Sequence, residues 1–158
     1  MIAEGRMDKS FLSQNKVRSL ALLASTVAVL VFIYANSLQT GGTSAEESYG
    51  IYDLLSSMFG FLPFFTHTFV RKAAHFLEYA LLGTHVSRLL FSLGCRARRV
   101  MTYAMLFCFA ASVSDEILQV FVPSRYASML DVMIDTAGAL WGIICIILCQ
   151  AVRKRKRG

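Results

Sequence analysis

The segment from Ser112 to Asp135 mixes apolar residues with ionisable side chains, and it is the part of the chain that most directly suggests chemistry. An ionisable group close to hydrocarbon costs free energy, so it faces a partner, water or a ligand. The segment therefore predicts a functional site within a membrane. Its ionisable residues are Asp115, Glu116, Arg125, Asp131 and Asp135.

A second polar segment, 71–79, begins with Arg71-Lys72 and continues into an apolar run. On a helix, Lys72 and His75 share one face, and Glu78 follows His75 at a spacing of i,i+3. Arg and Lys suit the binding of phosphate or carboxylate, whereas an imidazole beside a carboxylate suits general acid–base chemistry. Both kinds of chemistry are therefore hypotheses for this segment, and His75, Glu78 and Asp115 are the candidate catalytic residues.

The composition predicts an integral membrane protein with a single domain, because 56% of the 158 residues are hydrophobic. The net charge is +6, and thirteen of the 16 Lys and Arg residues fall in three blocks, Arg6–Arg18, Arg88–Arg99 and Arg153–Arg157. These blocks flank apolar runs, so we expect them to orient the chain and attract anionic lipid. We do not expect a nucleic-acid partner.

The apolar runs predict an all-α fold, a polytopic helical bundle that forms one domain over residues 1–158. The second and third spans are interrupted by polar residues. The stretch after the first span has an amphipathic pattern and predicts a short interfacial or re-entrant helix. The predicted elements are four spans at about 18–36, 69–93, 100–122 and 129–152, the short helix at about 51–59, and a basic tail at 153–158.

The distribution of basic residues predicts the topology. If the tail is cytoplasmic, four spans place the N-terminus and the loop near Arg98 on the cytoplasmic side as well. All three segments are basic, as expected for cytoplasmic segments of a membrane protein. Both termini are then cytoplasmic. Three basic residues, Arg71, Lys72 and Arg125, remain on the outer side, at the depth of the intramembrane acids. We therefore expect a polar pocket that opens to the outer face and has an apolar floor.

Two stretches resemble the VanZ-like membrane protein family: RKAAHFLEYALLG at 71–83 and SDEILQVFVPSRYASMLDVMIDTAGALWG at 114–142. The His75-x-x-Glu78-Tyr79 element and the Pro123-x-Arg125 turn carry much of this resemblance. It implies a multi-pass protein of the bacterial plasma membrane with a role in the cell envelope. The namesake of the family is linked to resistance to the glycopeptide antibiotic teicoplanin, and the resemblance implies no particular reaction.

The leading hypothesis is a pocket that binds an anionic group, either a lipid phosphate headgroup or the end of a lipid-linked cell-wall precursor. Arg71, Lys72 and Arg125 are expected to hold the anion, and nearby acids to position these cations. Such binding would also lower glycopeptide susceptibility. The predicted ligand-binding residues are Arg71, Lys72, His75, Glu78, Asp115, Glu116, Gln119, Arg125, Asp131 and Asp135.

Three alternatives remain open at this stage. The first is a membrane-embedded hydrolase or transferase in which His75, oriented by Glu78, Asp115 or Asp131, acts as a base. The second is an ion- or proton-coupled transporter, which intramembrane acids would suit. In the third, the charges form ion pairs that fix helix register and bind nothing.

We expect no metal and no cofactor. His75 with several nearby acids could hold a divalent ion, but the segment contains a single histidine and no dedicated ligand spacing. Serine nucleophiles can be named at Ser114, Ser124 and Ser128, although no nucleophile elbow surrounds them. The sequence gives no prediction of oligomeric state.

Overall fold

The computed structural model describes residues 9–39, 50, 66–123 and 125–156. The described residues form four α-helices and no strand, which confirms the predicted all-α fold for this part of the chain. The short helix predicted at 51–59 lies outside the described residues. The four helices are α1 (Lys9–Ser37), α2 (His67–Ser92), α3 (Ala97–Gln119) and α4 (Met129–Arg155).

Local signals in the sequence set the ends of these helices. Thr66 caps α2 by accepting a hydrogen bond from the amide of Phe69, and Ser128 caps α4 by accepting one from the amide of Asp131. After α2 the chain turns at Gly94, whose φ of 83° lies in the left-handed region that glycine adopts without strain. The connections between α2 and α3 and between α3 and α4 are short, so successive helices run antiparallel.

Helix α2 lies at the centre of the bundle and contacts each of the other three helices, α4 most extensively. Its close approach to α4 depends on glycines, because the backbone at Gly138 faces that of Phe76 and the backbone at Gly142 faces that of Ala80. The small-xxx-small spacing of Gly138 and Gly142 therefore serves the packing of α2 on α4. Since the contacts advance in the same direction on both helices, α2 and α4 are parallel.

The core of the bundle is apolar over most of its length. Tyr79 and Leu82 of α2 pack with Ile33 of α1, Cys108 of α3 and Ile143 of α4, and all five are fully buried. Large apolar side chains such as those of Val31, Leu106 and Trp141 instead point outward and are more than half exposed. A helix that is apolar on its outer face as well as its inner face is typical of a membrane bundle.

Three of the described helices are long and apolar enough to cross a membrane: α1 from Lys16, α3 and α4. Helix α2 is also long enough but not as apolar, because Arg71, Lys72, Glu78 and Arg88 interrupt its hydrophobic sequence. The predicted boundaries fall within a few residues of the helix ends, except that α1 begins earlier, at Lys9. Helix α4 also runs on into the basic tail and ends at Arg155.

Candidate functional site

The polar residues of all four helices meet at one end of the bundle, where α1 and α3 end and α2 and α4 begin. We call this group the polar cluster. Most of its side chains are buried, and Asp115 and Asp135 are 0% exposed. The members are Asn36, Ser37, Arg71, Lys72, His75, Glu78, Ser112, Asp115, Glu116, Gln119, Arg125, Ser128, Asp131 and Asp135.

Helix α1 contributes hydrogen-bond donors from its last turn. The amide of Asn36 donates to Glu78 Oε1 at 2.8 Å, and the hydroxyl of Ser37 donates to Asp115 Oδ2 at 2.7 Å. One turn earlier, the Tyr34 hydroxyl lies 2.6 Å from that of Ser114. Since Ser114 donates its own proton to the Ala111 carbonyl, Tyr34 is the donor of this pair.

Asp115 of α3 is held through one of its two oxygens. Ser37 and the side-chain amide of Gln119 both donate to Oδ2, the latter at 3.3 Å. Gln119 also donates to the Ser37 oxygen, so the three side chains form a closed network. The other oxygen, Asp115 Oδ1, is buried and has no hydrogen-bond partner among the described residues.

Two contacts between α2 and α4 form successive layers. In the outer layer, Arg71 Nη2 lies 3.5 Å from Asp131 Oδ2. In the next layer, His75 Nδ1 lies 3.4 Å from Asp135 Oδ1, and Asp135 Oδ2 accepts a hydrogen bond of 2.8 Å from Ser112. His75 follows Arg71, and Asp135 follows Asp131, by four residues, which is about one helical turn. The second layer therefore lies about 6 Å deeper in the bundle.

The turn between α3 and α4 supplies a buried cation. Arg125 is only 8% exposed, and its Nη2 makes a long contact of 3.5 Å with the Asn36 carbonyl. Its Nε has no hydrogen-bond partner within the described part of the chain. Burial lowers the pKa of Arg125 from its ordinary value, and the neighbouring charge of Arg71 lowers this pKa further. Beside it, Glu116 accepts a 2.6 Å hydrogen bond from the backbone amide of Ser128.

A cavity of about 290 Å³ opens above the Arg71–Asp131 pair. Its walls bring together the three basic residues that the sequence assigns to one side of the membrane, with a single acid among them. The lining residues are Arg71, Lys72, Arg125, Tyr126, Ala127, Ser128 and Asp131.

All ten residues predicted as ligand-binding lie in the polar cluster, but their pairing differs in part from the expected one. Asp131 contacts Arg71, whereas Glu78 is bonded to Asn36 and Asp115 to Ser37 and Gln119. The carboxylate beside His75 is that of Asp135. One side-chain nitrogen or oxygen from each of His75, Asp115 and Asp135 lies within 4.8 Å of those of the other two.

Sequence reasoning missed Tyr34, Asn36, Ser37 and Ser112 as members of the network. The first three follow an apolar run and were assigned to the end of a span or to the loop after it. Their spacing offers one signal, because Tyr34 and Ser37 share a helix face at i,i+3. Ser114 and Ser128 bond to other groups than His75, and the side chain of Ser124 lies outside the described residues.

The opposite end of the bundle is basic. A cavity of about 810 Å³ lies between α1, α2 and α4, and its lining includes four cations and no acid. The cations are Arg18, Arg88, Arg153 and Lys154. The two ends therefore differ in chemistry, since the carboxylates of the described helices gather at one end and the charged residues lining the cavity at the other end are all basic.

Apolar outer faces, membrane-spanning helices and buried charge at one end define a polytopic helical membrane protein with a polar site. A family model described as VanZ/LLP1 matches residues 22–150, so the chain belongs to the VanZ/LLP1 family, as its resemblance to VanZ-like proteins predicted. No curated protein and no solved structure gave a match.

Proposed function

We propose that this protein binds an anionic, lipid-linked group, a lipid phosphate or the end of a cell-wall precursor, in the cavity lined by Arg71, Lys72 and Arg125. The observation that carries this proposal is the lining of that cavity, in which three cations surround one acid. Arginine presents a planar fork that binds two oxygens of a phosphate or carboxylate at once, and lysine adds a point charge.

Two features of these cations favour an external anion over internal ion pairs. Arg125 is buried, yet no carboxylate of the described residues lies within ion-pairing distance of it, and its Nε is unpartnered. Lys72 likewise forms no ion pair with any described residue. A buried guanidinium that makes no direct ion pair keeps an open donor at Nε, and an anion in the cavity would accept a hydrogen bond there.

An apolar groove next to this cavity favours a ligand with a hydrocarbon tail. The groove has a volume of about 300 Å³ and shares Ala127 and Ser128 with the basic cavity. Its remaining lining is apolar apart from Glu116, and includes Ile117, Phe121 and Met129. A charged head in the basic cavity would thus have a place for its tail between α3 and α4, on the lipid-facing surface.

We further propose that α2 is a fourth span, that both termini are cytoplasmic, and that the polar cluster faces the outside of the bacterial plasma membrane. The charges of α2 are compatible with a span because of where they lie. Lys72 and Glu78 are half-buried, and the exposed Arg71 and Arg88 lie near the two ends of the helix, where long side chains reach the interface. The basic cavity at the opposite end favours placing that end in the cytoplasm.

A binding experiment tests the central proposal. The protein, reconstituted in nanodiscs of phosphatidylcholine, is titrated with a polyprenyl phosphate and with the corresponding uncharged polyprenol. We expect the phosphate to bind at least tenfold more tightly than the alcohol. Losing a hydrogen bond to a charged group costs about 1.5–3 kcal/mol, so Lys72→Ala and Arg125→Ala are expected to weaken binding about tenfold to a hundredfold.

Arg88→Ala is the matched control, since it removes a cation from the other end of the same helix. It should leave phosphate binding unchanged. The proposal fails if polyprenol and polyprenyl phosphate bind equally, or if Arg88→Ala weakens binding as much as Lys72→Ala does.

The envelope role is tested separately in a teicoplanin-susceptible bacterium. We propose that ligand binding at the outer face lowers susceptibility, so expression of the wild-type chain should raise the inhibitory concentration of teicoplanin. Arg125→Ala, present in the membrane at an equal level, should not. If the protein binds polyprenyl phosphate but leaves susceptibility unchanged, the resistance role is discarded and the anion site is retained.

A further inference from the structure

We propose that His75, Asp115 and Asp135 bind one divalent transition-metal ion, with Zn²⁺ the ion that these donors favour. The three side chains come from α2, α3 and α4 and are all buried, His75 being 8% exposed and both carboxylates 0%. This site lies one helical turn below the Arg71–Asp131 pair and does not depend on the anion cavity described above.

The first support is that each of the three side chains offers a buried atom that makes no hydrogen bond, and two of these atoms, His75 Nδ1 and Asp135 Oδ1, face each other at 3.4 Å. His75 Nδ1, Asp115 Oδ1 and Asp135 Oδ1 are buried and accept or donate no hydrogen bond within residues 9–39, 66–123 and 125–156. Buried polar atoms are almost always paired, so three orphans in one cluster require an explanation. A bound cation would satisfy all three together.

The second support is how the two carboxylates are held. In Asp115 the donors Ser37 and Gln119 both bond to Oδ2, and in Asp135 the donor Ser112 also bonds to Oδ2. Each carboxylate is therefore fixed through one oxygen while the other oxygen is left open. Metal-binding carboxylates are commonly oriented in this way by hydrogen bonds to the oxygen that does not coordinate the ion.

The distances are close to those of a coordination sphere. Two donors that each lie about 2.1 Å from a tetrahedral ion are about 3.4 Å apart. His75 Nδ1 and Asp135 Oδ1 are separated by 3.4 Å without the geometry of a hydrogen bond. The donors of all three residues lie within 4.8 Å of one another, so binding one ion requires the more distant donors to move closer together.

Charge balance is the third support. Among the described residues, the polar cluster contains five acids but only three cations that are always charged. If all five carboxylates are ionised and the imidazole is neutral, the cluster carries two excess negative charges, and buried charges need compensation. A divalent cation supplies this compensation. The acids are Glu78, Asp115, Glu116, Asp131 and Asp135, and the cations are Arg71, Lys72 and Arg125.

The donor set indicates the class of ion. Imidazole suits zinc and other first-row transition metals, whereas magnesium prefers an all-oxygen shell and retains several waters. One imidazole with two carboxylates gives three protein ligands, which leaves a coordination position for water, as in zinc sites that are not purely structural.

Metal analysis of the purified protein tests the site. The chain is extracted from membranes without chelator, any purification tag is removed, and zinc is counted against protein by mass spectrometry. We expect about one zinc per chain, which a strong chelator removes and added Zn²⁺ restores. Mg²⁺ at the same concentration should not restore thermal stability.

Matched variants distinguish this site from adventitious binding. His75→Gln and Asp135→Asn are expected to lower the zinc content at least tenfold. His85→Gln, on the same helix but ten residues further along, should retain it. Co²⁺ substituted into the wild-type chain should give a visible absorption band that His75→Gln abolishes, which provides a second readout if a variant folds poorly.

The proposal is overturned if the untagged wild-type chain holds less than a tenth of an equivalent of zinc and gains no stability from added Zn²⁺. It is also overturned if His85→Gln loses as much zinc as His75→Gln. Binding of polyprenyl phosphate is measured independently of zinc content, so failure of either proposal leaves the other testable.

Discussion

Replacing Gly138 by alanine tests the packing that brings α2 and α4 together at the polar cluster. A Cβ atom at this position would meet the backbone of Phe76, with the carbonyl carbon 2.9 Å away and the carbonyl oxygen nearer still. Ordinary contact begins near 3.4 Å, so the two helices must separate by at least about half an ångström. Because the obstacle is backbone, no side-chain rotation can relieve it.

The informative result is whether Gly138→Ala raises or lowers the free energy of unfolding. Gly→Ala in an unobstructed helix is stabilising by about 1 kcal/mol. Overpacking a closely packed interface costs about 1–3 kcal/mol, and we expect Gly138→Ala to lower the free energy of unfolding by that amount. Reversible denaturation of the purified protein in mixed micelles measures the change.

Ala137→Gly is the matched control. Ala137 is the neighbouring residue of α4 and is exposed, so this substitution changes helix propensity but leaves the contact between α2 and α4 intact. It should lower stability by no more than about 1 kcal/mol. A Gly138→Ala protein that is more stable than wild type would refute the close approach of α2 and α4. His75 precedes Phe76 on α2, so the same variant should also release zinc more readily.

Three further predictions concern the hydrogen-bond network and the topology. Ser37→Ala should lower the free energy of unfolding by about 1–3 kcal/mol, because buried Asp115 loses its shortest hydrogen bond; an unchanged denaturation curve would contradict this. Tyr34→Phe should cost about 0.5–1.5 kcal/mol through loss of its bond to Ser114, and a double variant with Ser114→Ala should show that the two effects are not additive. Leu93→Cys, in a chain whose native cysteines are alanines, should react with a membrane-impermeant maleimide only after the membrane is permeabilised, whereas reaction in intact cells would reverse the proposed topology.

The helices were predictable because each contains a largely apolar stretch of near-spanning length and several end at recognisable signals. Ser128 before α4 and Gly94 after α2 are such signals, and the structure uses both. The polar cluster was also predictable in outline. Successive spans cross the membrane in opposite directions, which places the start of α2, the end of α3 and the start of α4 at the same depth. Their ionisable residues are therefore expected at one end of the bundle before the detailed packing is known.

Two aspects of the site could not be predicted from the sequence. A polar residue at the end of an apolar run, such as Ser37, is normally interpreted as the first residue of a loop. Only the tertiary structure shows that Ser37 faces Asp115. Helical periodicity places Asp131 and Asp135 on one face, but it does not fix the rotation of α4 about its axis relative to α2. That rotation decides whether His75 faces Asp135, and the glycine contacts between α2 and α4 set it.

The charges at the start of α2 also have a consequence for biogenesis. An isolated helix with Arg71, Lys72, His75 and Glu78 in its first turns would partition poorly from the translocon into lipid. The partners of Arg71 and His75 are Asp131 and Asp135 of α4, which is synthesised later. A nascent chain that stops after Ser92 is therefore expected to leave α2 outside the bilayer, and stable insertion should begin only once the C-terminal hairpin has emerged from the ribosome.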